Sequence, residues 1–167
     1  MIFLLSQFIN TFVAKFQKRP MFFITVVAFG GFVVLGWLAG TMEPNYSFDT
    51  DAYQAAYSWS PESKRFEAGY MILTYFFYLH GWSYEHFRLL SGLIVFILFF
   101  IAVKRFTKNI SAFYSLFAIL PFVNEATQVR NFMMYTLVLL GASFLQKKSV
   151  KNYFIATILI YLSSTFQ

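Results

Sequence analysis

Three short stretches of this chain carry residue types that can do chemistry. The first is Asp49-Thr-Asp51-Ala-Tyr53, with Tyr57 four residues on, and the second is Phe66-Glu67-Ala-Gly69-Tyr70. A carboxylate at the mouth of a cavity can take a proton from a hydroxyl, and a pair can hold a divalent cation. Tyr53 and Tyr57, at i and i+4, share one helical face and can stack on a sugar ring. The third stretch is Asn124-Glu125-Ala-Thr-Gln128-Val-Arg130-Asn131. Its Arg130 enters an apolar run, and a guanidinium fork suits phosphate oxygens bidentately. Arg88, just after Glu85 and His86, is a weaker candidate of the same type and reads first as a snorkelling flank.

Each stretch also has a plainer reading. Asp49 or Asp51 can cap a short interfacial helix by accepting its orphan N–H groups. Glu67 can sit at a helix N-terminus, where negative charge is favoured, with Lys64 and Arg65 to neutralise it. Arg130 can pair with Glu125, and His80 and His86 can be hydrogen-bonded structural residues. Spacing alone does not choose between these readings. The chain has no cysteine, which removes thiol catalysis, disulfides and Cys-based metal sites. Two histidines are too few for a His-rich metal centre. No resident metal site or cofactor is expected; a divalent cation at Asp49 and Asp51 is compatible with the chemistry and not required by it. Walker-type loops, a Rossmann glycine fingerprint, HExxH and GxSxG are absent.

The elements that must position these residues belong in a membrane. Of 167 residues, 59% are hydrophobic, 23% aromatic and 12% charged. A soluble domain carries about 25% charged residues. One of this length could not bury 24 Phe and still present a charged surface. A soluble enzyme is excluded. The net charge of +6 does not point to nucleic acid, because the cations flank apolar runs and report topology instead.

Residues 21–40 have no charge at all, and 20 residues rise about 30 Å, the thickness of the hydrocarbon layer. Residues 1–20 read as an interfacial helix, interrupted by Gln7 and Asn10, with a basic flank. Nine cations fall in three clusters free of acids: Lys15/Lys18/Arg19, Lys104/Arg105/Lys108 and Lys147/Lys148/Lys151. Such clusters belong on the cytoplasmic side. All three reach that side only if residues 66–82, rich in aromatic rings, do not cross and form a juxtamembrane or re-entrant helix. The chain then reads as one all-α membrane domain over 1–167. A first span at 21–40 leads to an extracytoplasmic loop with its juxtamembrane helix over 41–85. Four further spans follow within 86–167, at about 86–103, 110–124, 129–146 and 152–167. Pro121 kinks or ends the second of these four. Gly30, Gly31, Gly36 and Gly40 suit close helix packing. The last run stops in apolar sequence, so the chain reads as cut short.

The order of these motifs resembles the EpsG family of Wzy-type polysaccharide polymerases. Members typically show an Asp-x-Asp-x-x-Tyr-like element in the first outer loop, then Phe-Glu-x-Gly-Tyr, then Gln-x-Arg-Asn opening a later helix. Asp49, Asp51, Tyr53, Phe66, Glu67, Gly69, Tyr70, Gln128, Arg130 and Asn131 stand at those points. The resemblance covers about residues 20–167 and, as relatives run to about twice this size, implies an N-terminal half. It implies a glycosyltransferase-type enzyme that polymerises polyprenyl-diphosphate-linked oligosaccharide repeats for capsule, exopolysaccharide or O-antigen. The fold it implies follows the C-type glycosyltransferase plan. Its partners would be that lipid-linked glycan, the bilayer of the plasma membrane and other polysaccharide-assembly proteins. Asp51, Asp49, Glu67 and Arg130 would be catalytic, and Tyr53, Tyr57, Tyr70, Arg88, Gln128 and Asn131 would bind substrate. The competing class is a non-enzymatic membrane subunit or a small transporter-like protein. A transporter would place its ionisable groups at the bilayer midplane, where this chain is apolar.

Overall fold

A computed structural model describes residues 1–15, 21–43, 48–59, 61–63 and 66–166. These form nine α-helices and one 3-10 turn at Pro61–Ser63, with no strand among the described residues. The helices are α1 (Ile2–Lys15), α2 (Met21–Gly40), α3 (Phe48–Ala56), α4 (Ala68–Leu79), α5 (Tyr84–Phe106), α6 (Ile110–Ile119), α7 (Phe122–Thr127), α8 (Val129–Leu145) and α9 (Val150–Ser164). Two are long and apolar enough to cross a membrane, over Phe22–Gly40 and Tyr84–Phe106. The chain is a helical membrane protein.

Glycine brings the two long helices together. A Cβ on Gly40 would sit 2.6 Å from Leu89 Cα, and one on Gly92 would sit 2.8 Å from the Gly36 carbonyl oxygen. Backbones this close need residues without side chains on the facing rows. Gly31 faces Tyr114 and Asn10 in the same way, whereas Gly30 faces open space. Below this contact lies a phenylalanine core of Phe32, Phe96, Phe99, Phe117 and Phe132. Phe96 and Phe132 meet at 4.7 Å, and Phe99 and Phe132 at 5.0 Å. Phe132, in the first turn of α8, thus faces the middle of α5, and Arg105 near the end of α5 lies 4.0 Å from the centre of the Phe144 ring near the end of α8, so the two helices run parallel.

Pro121 does break its segment. The expected span at 110–124 is two short helices, α6 and α7, with Pro121 at the N-cap of the second. Ten residues of α6 rise about 15 Å, half the hydrocarbon layer. The ring blocks the helix there by lacking an N–H and crowding the preceding turn.

The N-terminal helix differs from a helix lying with its polar side in water. α1 turns that side into the bundle: Asn10 is buried, Ser6 Oγ meets Tyr114 Oη at 2.7 Å, and Gln7 donates to the Ser115 carbonyl at 2.6 Å. Its exposed large side chains are apolar, among them Leu4, Leu5, Phe8 and Phe12. In an apolar solvent the hydroxyls and amides become the adhesive and the leucines face outward.

α4 runs from the end of α9 to the start of α5. Its first residues touch the end of α9, where Gly69 N–H donates to the Thr165 carbonyl at 2.8 Å. Its last residues turn into the start of α5. Its 12 residues rise about 18 Å, too little to cross.

Candidate functional site

The site is built where α4 and α8 begin. Glu67 occupies the N-cap of α4, yet its side chain caps no backbone N–H. It accepts instead from Arg130 Nη1, a residue 63 positions later in the first turn of α8. A cation at a helix N-terminus is disfavoured by the helix dipole, so Arg130 is held there by its partner. The guanidinium also lies 5.3 Å from the centre of the Phe66 ring. Arg130 Nε is buried and has no hydrogen-bond partner. The second and third stretches therefore meet in one ion pair. The expected pairing with Glu125 does not form, because Glu125 sits on the separate helix α7 and Arg130 reaches across to α4. Lys64 and Arg65, expected to neutralise Glu67, lie outside the described residues, as do Lys18 and Arg19 of the first basic cluster.

Gly69 makes the approach possible. A Cβ there would stand 2.2 Å from Thr165 Oγ1 and 2.7 Å from the Thr165 carbonyl oxygen. The glycine of Phe-Glu-Ala-Gly-Tyr thus lets the end of α9 close against the start of α4. Thr165 was not among the expected site residues; an apolar final segment carries no chemical signal that could have found it.

Tyr53 connects the first stretch to the pair. Its ring packs against Phe66 at 5.3 Å and Tyr70 at 5.4 Å. Burial pushes its hydroxyl above the ordinary tyrosine range. The Arg130 guanidinium, as a charge and a hydrogen-bond partner, draws it back, and Asp49 adds to the rise. Asp49, Tyr53, Arg130 and Glu67 therefore form one electrostatic chain. Asp49 and Asp51 are both exposed in the first turn of α3. They follow Phe48, so neither occupies the expected N-cap. Two residues apart on a helix, they point to opposite sides and do not fit a shared cation. Among the described residues no three His, Asp or Glu gather as a metal group.

The tyrosines expected to stack on sugar are occupied. Tyr53, Tyr57 and Tyr70 are 4%, 6% and 1% exposed. Tyr57 lies just past the end of α3, and its ring packs on Phe87 at 5.5 Å and Tyr84 at 5.6 Å. Its hydroxyl donates to the Trp82 carbonyl at 3.0 Å. Burial lifts the Tyr70 hydroxyl well above its usual range, and that hydroxyl has no hydrogen-bond partner. Aromatic faces already covered by other rings cannot also cover a pyranose.

Arg88 does not snorkel. It is 4% exposed, and its Nη1 donates to the Met42 carbonyl at 2.7 Å. Among the described residues no carboxylate pairs with it. It lines a recess of about 380 Å³ with Thr41, Glu43, Tyr84, Glu85 and His86. Gln128 and Asn131 bond to each other, Asn131 Nδ2 donating to Gln128 Oε1 at 3.0 Å. They brace the turn into α8 on either side of Arg130. A largely apolar cavity of about 250 Å³, with Ser91 and Thr136 also in its wall, opens between α4, α5 and α8, one helical turn along α8 from Arg130. Leu73, Phe77, Ile94, Met133 and Leu137 line it, with Phe166 from the end of α9.

The family model of the EpsG family matches residues 32–167. No curated protein and no solved structure matches the chain.

Proposed function

The chain belongs to the EpsG family, whose membership points in general to a polysaccharide-polymerase type of function, and on that premise we propose its chemistry. The reading is polymerisation of polyprenyl-diphosphate-linked oligosaccharide repeats, for capsule, exopolysaccharide or O-antigen. One observation carries it: the Glu67–Arg130 pair joins two distant family motifs beside an apolar cavity. A carboxylate next to a guanidinium, half-shielded from water, offers a base for a hydroxyl and a clamp for a phosphate.

In this account the lipid-linked donor lays its isoprenoid tail in the cavity of Leu73, Phe77 and Met133. Its diphosphate draws Arg130 away from Glu67, and Arg88 adds a second buried cation. The freed Glu67 carboxylate, with Asp49 or Asp51 at the rim, takes the proton of the acceptor sugar hydroxyl. The new bond forms between that oxygen and the donor's anomeric carbon. The bond from that carbon to the phosphate oxygen breaks, and the lipid diphosphate leaves with both electrons. Tyr53 stays protonated and orients Arg130, while Tyr57 and Tyr70 hold the site as packing residues. Gln128 and Asn131 set the angle at which Arg130 is presented.

The same reading places the chain in the plasma membrane as a single multi-pass domain, with basic loops cytoplasmic and the acidic 41–67 segment extracytoplasmic. Other polysaccharide-assembly membrane proteins are its partners. The test is polymer length on cells carrying Arg130→Ala at unchanged protein level. Short or absent polymer supports the reading; polymer of unchanged length removes Arg130 from the mechanism.

A further inference from the structure

The polysaccharide reading leaves a gap, because the tyrosines are buried and no aromatic face has yet been assigned to the sugar. We propose that Trp82, flanked by His80 and His86, is a glycan-binding subsite at the far end of α4 from the Glu67–Arg130 pair. The proposal rests on the polysaccharide reading and extends it to a place that this reading does not touch.

Trp82 is 42% exposed, yet it is held in place at three points. Its N–H donates to the Phe77 carbonyl at 3.1 Å, its carbonyl accepts from Tyr57 Oη, and its ring meets Phe77 edge-on at 5.2 Å. Gly81, with φ of 75°, makes the turn that sets it there, a conformation glycine adopts without steric cost. A fixed indole that remains partly exposed is an apolar platform that needs little ordering on binding.

The polar groups around it are those that sugar hydroxyls need. His80 Nδ1 lies 2.7 Å from the Phe76 carbonyl. A carbonyl can only accept, so Nδ1 donates there, and Nε2 is left outside that bond to meet a hydroxyl. His86 Nδ1 is engaged by Ser83 Oγ at 2.8 Å, which leaves its Nε2 outside that bond. These residues line one recess of about 340 Å³. A flat apolar surface edged by a few fixed polar groups is the composition of a small-molecule site. His86 also lines the recess that holds Arg88, so the two recesses run together along the start of α5.

α4 separates Trp82 from Glu67 by about 18 Å, farther than one sugar ring reaches. A monosaccharide cannot touch both places, and an oligosaccharide can. The subsite would hold a part of the chain that does not react and lend its binding energy to placing the part that does.

The experiment uses the whole chain in detergent and a hexasaccharide cut from the host cell's surface polysaccharide, with its monosaccharide as control. The chain has three Trp, so Trp37→Phe with Trp59→Phe leaves Trp82 as the sole indole. The hexasaccharide should change its fluorescence saturably, and the monosaccharide should bind far more weakly. By calorimetry Trp82→Ala should weaken hexasaccharide binding about tenfold or more, and Trp82→Phe by no more than about threefold. If Trp82→Ala does not fold, the sole-indole protein decides alone. Undiminished binding in Trp82→Ala, or a sole indole blind to a hexasaccharide that binds, overturns this inference and spares the polymerase reading. No hexasaccharide binding by the unaltered protein overturns both.

Discussion

Replacing Gly69 by alanine should loosen the site without touching a charged residue. A Cβ at that position would stand 2.2 Å from Thr165 Oγ1, 2.7 Å from its carbonyl oxygen and 2.8 Å from its Cβ. Ordinary contacts lie near 3.5–4.0 Å, so the end of α9 must retreat by roughly 1 Å. Overpacking of this kind costs about 1–3 kcal/mol. The retreat also strains the Gly69 N–H bond to Thr165, worth about 1 kcal/mol. Alanine returns up to about 1 kcal/mol through its better helix propensity. The net local loss is about 1–3 kcal/mol. Hydrogen exchange reads it directly, because about 2 kcal/mol corresponds to roughly thirtyfold faster exchange of the first turn of α4. Thr165→Ala removes the closest atom and leaves the next two, so it should restore protection in part. Gly30→Ala is the control, since nothing lies within 4 Å of its Cβ position. If Gly69→Ala exchanges no faster than Gly30→Ala, the α4–α9 closure described above is wrong.

Three further outcomes follow from the geometry. Gly40→Ala should lower the thermal unfolding midpoint in detergent, since its Cβ would lie 2.6 Å from Leu89 Cα and cost about 1–3 kcal/mol or more. Tyr53 has its folded pKa raised, so its share of stability is complete below the unfolded value near 10 and is lost as pH climbs through the folded value. Unfolding midpoints should stay flat from neutral pH to about 9 and fall above about 10, less steeply in Tyr53→Phe. Ser58→Cys should react with an impermeant thiol reagent added outside the cell and Ser149→Cys should not; the reverse pattern overturns the proposed topology.

The membrane character and the α2 boundaries were legible because lipid imposes a one-dimensional rule. A charge-free run of 20 residues has few other fates. Pro121 was legible for an equally local reason, the missing N–H. The partner of Arg130 was not. Sequence proximity favoured Glu125, five residues away, and for Glu67 favoured Lys64 and Arg65; the actual contact spans 63 positions and depends on α4 lying across the start of α8. Tyr53 and Tyr57 have the spacing of one helical face, but α3 ends at Ala56 and their rings pack on different partners. Periodicity says which residues look the same way, not whether they look at solvent or at Phe87. α1 shows the same limit in reverse. Gln7 and Asn10 marked a polar side, and only packing against α6 decides that this side is the inner one.

In the proposed mechanism Glu67 and Arg130 act together on a lipid-linked glycan. This joint action is tested most directly by reconstituting the purified chain in lipid vesicles with the lipid-linked repeat extracted from its host. The unaltered protein should convert the repeat into products of two or more repeats. Glu67→Gln, which keeps the shape of the side chain and removes its charge, should bind the repeat and fail to join it. Polymer formed equally by Glu67→Gln and the unaltered protein would contradict that mechanism.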